Sequence, residues 1–408
     1  MMKLTTLDNG LRVVSRDMPG LETASVGVFA RCGARDEPAH LNGLAHIFEH
    51  MVFKGAGGRS ARELNEAIED VGGELNAATE RDGTSFTAAV MAEHVPLAVE
   101  LIADLLLRPH FSADDLEREK EVVLQELAEV GDTPSDLIFD ELWAASFGDQ
   151  PLGRSILGEE GSIRRVTPAD LHDWREQQYR GQDLILAAAG KVSHDALVEV
   201  AERHFSELPT GQAEIGERAN FTGGVRIGRV ASEQAHLTFG FEGPAERADD
   251  YFAARLFADV IGGGASSRLF HEVREERGLA YSVGASLHPF SDVGLFYVHA
   301  STSPREAAAT SHLIGEILRD SVETIAEREV ERVRTRAAAG LLMHLETPWG
   351  QASYAARQLA VYGRLVEPAE VLVQLAKVTL QEVCSAGGRM LGGPRATATI
   401  GVPAVRAA

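Results

Sequence analysis

At 408 residues the chain is longer than one ordinary hydrophobic core organises, so two domains of about 200 residues are expected. Apolar and charged fractions of 44% and 25% are those of a globular protein and exclude a disordered or fibrous one. A formal charge of −22 argues against nucleic acid or an anionic membrane surface as partner and would suit cationic ligands.

Asp8-Asn9-Gly10 is a hairpin turn, and residues 11–16 and 24–30 read as strands. The stretch Gly43-Leu-Ala-His-Ile-Phe-Glu-His-Met51 follows, with His46 and His50 four residues apart and Glu49 between them. At about 100° per residue these three share one helix face, while Leu44, Ile47, Phe48 and Met51 would pack the helix into a core. Ser60 with Glu63 forms a capping box for a second helix that ends at Gly72-Gly73. Strands are expected at 75–79 and 84–91, and helices at 95–107 and, after a Ser112 cap, from 113 to about 130. Thr133-Pro134 and Thr167-Pro168 each open a helix with proline at its first position. An apolar strand at 184–190 and a helix at 194–208 complete the first half.

Residues 210–224, rich in glycine and poor in core residues, are the expected linker between a domain at 1–209 and one at 225–408. Beyond it come strands at 225–230 and 236–241, helices at 249–261 and 266–276, and strands at 280–287 and 295–301. Long helices at about 304–322 and 327–346 follow, then further helical segments and a last strand at 396–402. The Gly262-Gly-Gly-Ala-Ser-Ser-Arg268 segment follows a helical pattern rather than a strand. It therefore reads as a helix end with Ser266 as the next cap, not as a phosphate loop.

The second half repeats the first. Ser60-Ala-Arg-Glu-Leu-Asn-Glu-Ala-Ile-Glu-Asp-Val-Gly72 lies over Ser266-Ser-Arg-Leu-Phe-His-Glu-Val-Arg-Glu-Glu-Arg-Gly278 at an offset of 206, and Glu117–Glu121 over Glu327–Glu331 at 210. Two copies of one α+β domain are expected. Shifted by 206, His46, Glu49 and His50 fall on Phe252, Arg255 and Leu256, so only the first copy would carry chemistry.

Two imidazoles with a neighbouring carboxylate suit a zinc ion that keeps water as a ligand, but a third protein ligand is needed. The helix after Ser112 offers Glu117, Glu119, Glu121, Glu126 and Glu129. Glu119 and Glu126 are two turns apart on one face, whereas Glu117 and Glu121 look solvated. Glu126 follows the apolar run at 122–124, where a carboxylate needs a charge partner or a metal, and leads as third ligand. Glu119 otherwise reads as an exposed helix charge. The parts fit peptide hydrolysis by direct attack of water, with Glu49 as general base. No Ser or Cys stands in a nucleophile elbow. His40, His94, His110, His172, His194, His204, His271 and His288 have no ligand spacing. Cys32 and Cys384 form no disulfide framework and fit a reducing compartment. No apolar run approaches the ~18 residues of a membrane span, and the first ten residues lack a signal-peptide core, so a cytoplasmic protein is expected.

His46-Ile-Phe-Glu-His50 is the inverted zincin motif. With its continuation Met51-Val-Phe-Lys-Gly55 and a glutamate 76 residues after His50, it resembles the pitrilysin/insulinase family of metallopeptidases, and within it bacterial relatives of mitochondrial processing peptidase. The resemblance implies one zinc ion per chain, with Glu126 as third ligand and Glu119 as an acidic residue behind the ligands. It implies that Leu75-Asn-Ala-Ala-Thr79 pairs with bound peptide, making Asn76 and Ala77 substrate contacts. Leu269-Phe-His-Glu-Val-Arg274 and Gly278-Leu-Ala-Tyr281 resemble the family's arginine–tyrosine pair that holds the substrate backbone. On their own, Arg274 reads as a surface helix arginine and Tyr281 as a strand core residue. Further implied are mostly antiparallel sheets covered by helices, half of a clam-shell chamber per chain, and a dimer. The dimer would be a homodimer or a pair with a different chain, in which Arg274 and Tyr281 complete the partner's zinc site. The rival expectation is a non-catalytic assembly subunit, a kind that has typically lost motif residues; this chain keeps them.

Overall fold

A computed structural model describes residues 2–213 and 216–402, and its first hairpin forms around the Asp8-Asn9-Gly10 turn. The turn closes a hairpin between β1 (Met2–Thr6) and β2 (Arg12–Asp17), through hydrogen bonds from Leu7 N to Leu11 O and Gly10 N to Leu7 O. β3 (Thr23–Ala30) leads to α1 (Leu44–Val52), which carries the histidines, and then to α2 (Ala61–Glu69). Ser60 and Glu63 form the expected capping box on α2. β4 (Glu74–Thr79), β5 (Thr84–Met91), α3 (Val95–Leu107), α4 (Ala113–Asp132) and α5 (Pro134–Phe147) follow. α6 (Pro168–Gln178), β6 (Leu184–Gly190) and α7 (His194–Phe205) end the first half.

The second half contains β7 (Gly224–Gly228), β8 (Ala235–Gly243), α8 (Tyr251–Gly262), β9 (Ala280–Pro289), β10 (Gly294–Thr302), α9 (Ala307–Thr324) and α10 (Glu327–His344). It closes with α11 (Pro348–Tyr362), α12 (Pro368–Lys377), α13 (Leu380–Gly392) and β11 (Arg395–Ile400). Between α8 and β9 the chain winds as a π-helix over Phe270–Glu276. Its approach is capped by Ser267, whose Oγ accepts from Phe270 N, and not by Ser266 as expected.

The two sheets show the repeat directly. The first has the order β1-β2-β6-β3-β5-β4 and the second β7-β11-β8-β10-β9. Without β1, strands match one to one in order. The β2–β6 and β7–β11 pairs are parallel and every other pair is antiparallel. The architecture is therefore α+β with two related, mostly antiparallel sheets, each flanked by helices.

Two compact units result, and neither is one continuous stretch. The first comprises residues 1–127, 155–217 and 341–366; the second comprises 128–154, 218–340 and 367–408. In the first unit α3 and α7 cover one sheet face, and α11, from the second half of the sequence, covers the other through Ala352, Ala355, Ala356 and Leu359 against Val14, Ile185, Ala187 and Ala189. Covering both faces buries β6 along its whole length, which is why its sequence is apolar throughout. In the second unit α8 and α13 cover one face, and α5, from the first half, covers the other through Ile138, Leu142 and Ala145. The expected division at 1–209 and 225–408 differs from this by the exchange of these two helices. The crossing at Glu217/Arg218 lies within the expected linker 210–224. That linker is more packed than its composition suggests: Ala219 and Phe221 are buried, and Ala219 N donates to Asp292 Oδ2 at 2.9 Å. Glu214 and Ile215 lie outside the described residues. Among those described, no helix is long and apolar enough to cross a membrane.

Candidate active site

α1 divides its two faces sharply. Leu44, Ala45, Ile47, Phe48, Met51 and Val52 are at most 2% exposed, whereas His46, Glu49 and His50 line the opposite face. Burying six apolar side chains stabilises the helix's placement by about 1.5–3 kcal/mol for each large one. A nine-residue helix would not hold its shape alone in water. The fold therefore fixes the histidines through the apolar face behind them.

His46 Nε2 and His50 Nε2 each lie 3.7 Å from Glu126 Oε2 on α4. Among the described residues, His46, His50 and Glu126 form the one group of three or more potential ligands, with atoms all within 4.8 Å of one another. A separation of 3.7 Å is beyond hydrogen-bond reach, so the three atoms ring a common point rather than pair. His46 is mostly buried, and burial, reinforced by the neighbouring His50, pushes its pKa down to about 4. The ring is then neutral with a lone pair free, so its approach to Glu126 is not an ion pair. Its Nδ1 is buried without a hydrogen-bond partner. Two imidazoles and one carboxylate are a zinc donor set with a position left for water, and these residues fit that ion.

Behind the three converging side chains, Glu119 joins two groups. Oε2 lies 3.1 Å from His50 Nδ1, and Oε1 lies 2.7 Å from Lys54 Nζ. Such a carboxylate fixes a ligand histidine's tautomer and ring orientation. Glu119 is only 7% exposed, in a buried stripe of α4 with Leu116, Lys120 and Val123. This corrects the reading of Glu119 as an exposed helix charge. Glu126, expected to be tucked toward the core, has a side chain 39% exposed, because the stripe turns away after Val123. Glu117 and Glu121 are solvated, as expected.

Glu49 is held from the sheet: Thr79 Oγ1 donates to its Oε2 at 2.5 Å. Thr79 ends β4, the free edge of the first sheet, beside α1. On that edge Asn76 is exposed, with Oδ1 accepting from Ala77 N at 2.8 Å, and Ala77 is half-buried against the core.

In the second unit, the Arg274 guanidinium stacks 4.8 Å from the Phe270 ring centroid and 5.4 Å from that of Tyr281. Tyr281 is 77% exposed, so it is not a strand core residue. The cause is a register shift between Ala280 and Ser282, a bulge that turns Tyr281 out of β9's alternation. The π-helical turn spaces Phe270 and Arg274 for the stack.

Lys54 beside Glu119, Thr79 beside Glu49 and, in the second unit, Phe270 beside Arg274 are contacts that no sequence pattern singled out. Lys54 carried the best signal, one helical turn beyond His50. Among the histidines expected to be ordinary, His194 has each ring nitrogen bonded to a hydroxyl, of Thr5 and of Ser15.

Comparison with known proteins extends the pattern over nearly the whole chain. Residues 12–160 match the model of the insulinase family (peptidase family M16), and residues 165–337 match that of the M16 inactive domain. A Mycobacterium tuberculosis protein named an uncharacterized zinc protease is 37% identical over 97% of this chain and 92% of its own length. The β subunit of the mitochondrial processing peptidase of Lentinula edodes is 33% identical over 93% of this chain and 85% of that one. A crystal structure of an M16 inactive domain protein from Pseudomonas fluorescens superposes with a TM-score of 0.92 at 20% identity, covering 98% of each chain. The chain belongs to the insulinase family of M16 peptidases.

Proposed function

We propose that the protein is a zinc-dependent endopeptidase that hydrolyses peptides or unstructured protein segments. The observation that carries this reading is the convergence of His46, His50 and Glu126 on one point, beside a Glu49 carboxylate held at the sheet edge. The names of relatives as zinc proteases support it. One zinc ion per chain, held by those three side chains, would supply Lewis acidity and bring the pKa of a water to about 7. Glu49 accepts that water's proton as oxygen attacks the peptide carbonyl carbon, then delivers it to the leaving nitrogen as the C–N bond breaks. Thr79 aims the carboxylate, and Glu119 fixes the His50 ring. The substrate backbone lies extended along β4, beside Asn76 and Ala77.

Arg274 and Tyr281 are assigned to the grip on that backbone, contributed by the second chain of a dimer. The stack on Phe270 and Tyr281 keeps the guanidinium fork in one orientation, which lowers the entropy lost on binding. Arg274→Ala should lower kcat/KM by about 10- to 100-fold, the worth of a hydrogen bond to a charged group, and leave zinc content unchanged. Light scattering on the same samples reports whether the chain pairs with itself.

The direct test is cleavage of a mixed peptide library with a chelator control, alongside metal analysis of protein prepared without chelators. Zinc bound and cleavage abolished by chelation are the expected results. Protein that takes up no zinc and cleaves nothing would instead be a non-catalytic assembly subunit.

A further inference from the structure

α1 begins at a residue that cannot cap it. Gly43 has φ +96°, and a Cβ there would sit 2.7 Å from Leu157 O, so the position admits glycine alone. With no side chain, it leaves the first N–H groups of the helix without the acceptor that an N-cap serine or aspartate normally supplies. Glu37, just after the short 3-10 turn Ala34–Asp36, supplies one from outside the helix. Its Oε1 accepts from Ala45 N at 2.7 Å, and its Oε2 accepts from Gly43 N at 2.8 Å and from Asn42 Nδ2 at 2.9 Å. Glu37 is only 4% exposed. A buried carboxylate is costly unless its charge is answered, and here the answer is donors together with the positive end of a helix dipole.

His46 is the residue immediately after Ala45, in the same first turn. We infer that Glu37 is a positioning residue for the metal centre: it fixes the first turn of α1 and thereby His46, and so sets the protein's affinity for zinc. This rests on the reading of His46, His50 and Glu126 as ligands. His50 is steered from outside α1 by Glu119, whereas His46 Nδ1 has no partner of its own. The orientation of His46 therefore depends on the backbone that carries it, and Glu37 holds that backbone.

The test is zinc affinity, measured by competition with a chromogenic chelator, with thermal melting of the metal-free protein in parallel. Glu37→Gln replaces one acceptor oxygen by an NH2 facing an N–H, so one helix donor loses its partner. Zinc affinity should fall by about 10- to 100-fold, the range seen when a ligand's outer support is removed. Glu37→Asp, too short to reach both N–H groups, should give a smaller fall and serves as the readout if the glutamine variant does not fold. Asn42→Ala leaves both helix bonds intact and should keep affinity within about threefold of the original. A lower melting temperature with unchanged zinc affinity in the Glu37 variants would reduce Glu37 to a fold support and overturn the inference. Equal weakening by Asn42→Ala would also overturn it. If the unaltered protein binds no zinc, the reading of the site fails and takes this inference with it. Normal zinc binding by the unaltered protein with no response to Glu37 overturns the inference alone.

Discussion

Glu49→Gln is expected to keep its zinc and to lose about 10²- to 10⁴-fold in kcat for a quenched peptide, the span contributed by a positioned general base. The substitution is nearly isosteric, and a glutamine carbonyl can still accept the hydrogen bond that Thr79 Oγ1 donates to Glu49. Geometry is therefore kept while proton affinity is removed. Glu49 is not one of the three converging side chains that could hold the ion, so metal content should not change. Because the base acts on the attacking water rather than on bound substrate, kcat and kcat/KM should fall together with KM little moved. Activity within a few-fold of the unaltered protein, at equal zinc loading, would show that another group takes the proton. Loss of zinc along with activity would place Glu49 among the ligands instead.

Much of this site is legible in the letters because one short helix states it twice. The apolar residues of Leu44–Val52 give the face that is buried, and the polar ones give the face that remains. The duplication is also legible, since a serine, an arginine, two glutamates and a terminal glycine recur at one offset of 206. What repeats do not say is which sheet each helix joins. α5 and α11 are each able to cover an apolar sheet face, and either sheet offers one; the exchange is decided by packing across more than a hundred residues. Tyr281 shows a different limit. Alternation assigns strand residues to faces, but one extra residue at Ala280/Ser282 reverses the assignment locally, and bulges leave little trace in single sequences. Glu119 and Glu126 share a helical phase, so periodicity cannot say which of them is buried. That depends on where α4 leaves the core. Thr79 and Glu37 act across loops and strands, where no period links them to the helix they hold.

Phe48→Ala is expected to cost about 3–5 kcal/mol of stability in the metal-free protein. Phe48 is fully buried on the back of α1, stacked 4.9 Å from Tyr179 and tilted 5.5 Å from Phe111. Truncation forfeits the transfer of a large ring, two aromatic pairs worth about 0.5–1.5 kcal/mol each, and the contacts lining the cavity left behind. The surrounding core includes strands that cannot close in on the void, so little of the cost should be recovered by relaxation. The effect on zinc separates packing from ligation. If the variant's native state still presents His46, His50 and Glu126 in place, zinc at 100 times the unaltered protein's Kd should return about 2.7 kcal/mol, the shift expected of the unaltered protein at that concentration. Denaturant midpoints with and without zinc measure both numbers. A shift on zinc addition as large as in the unaltered protein means that the apolar face supplies stability alone. A smaller shift means that the same face also sets the ligand geometry. The second outcome is expected, because Phe48 lies midway between His46 and His50 on a helix of nine residues, too short to keep their spacing once its packed side is undercut.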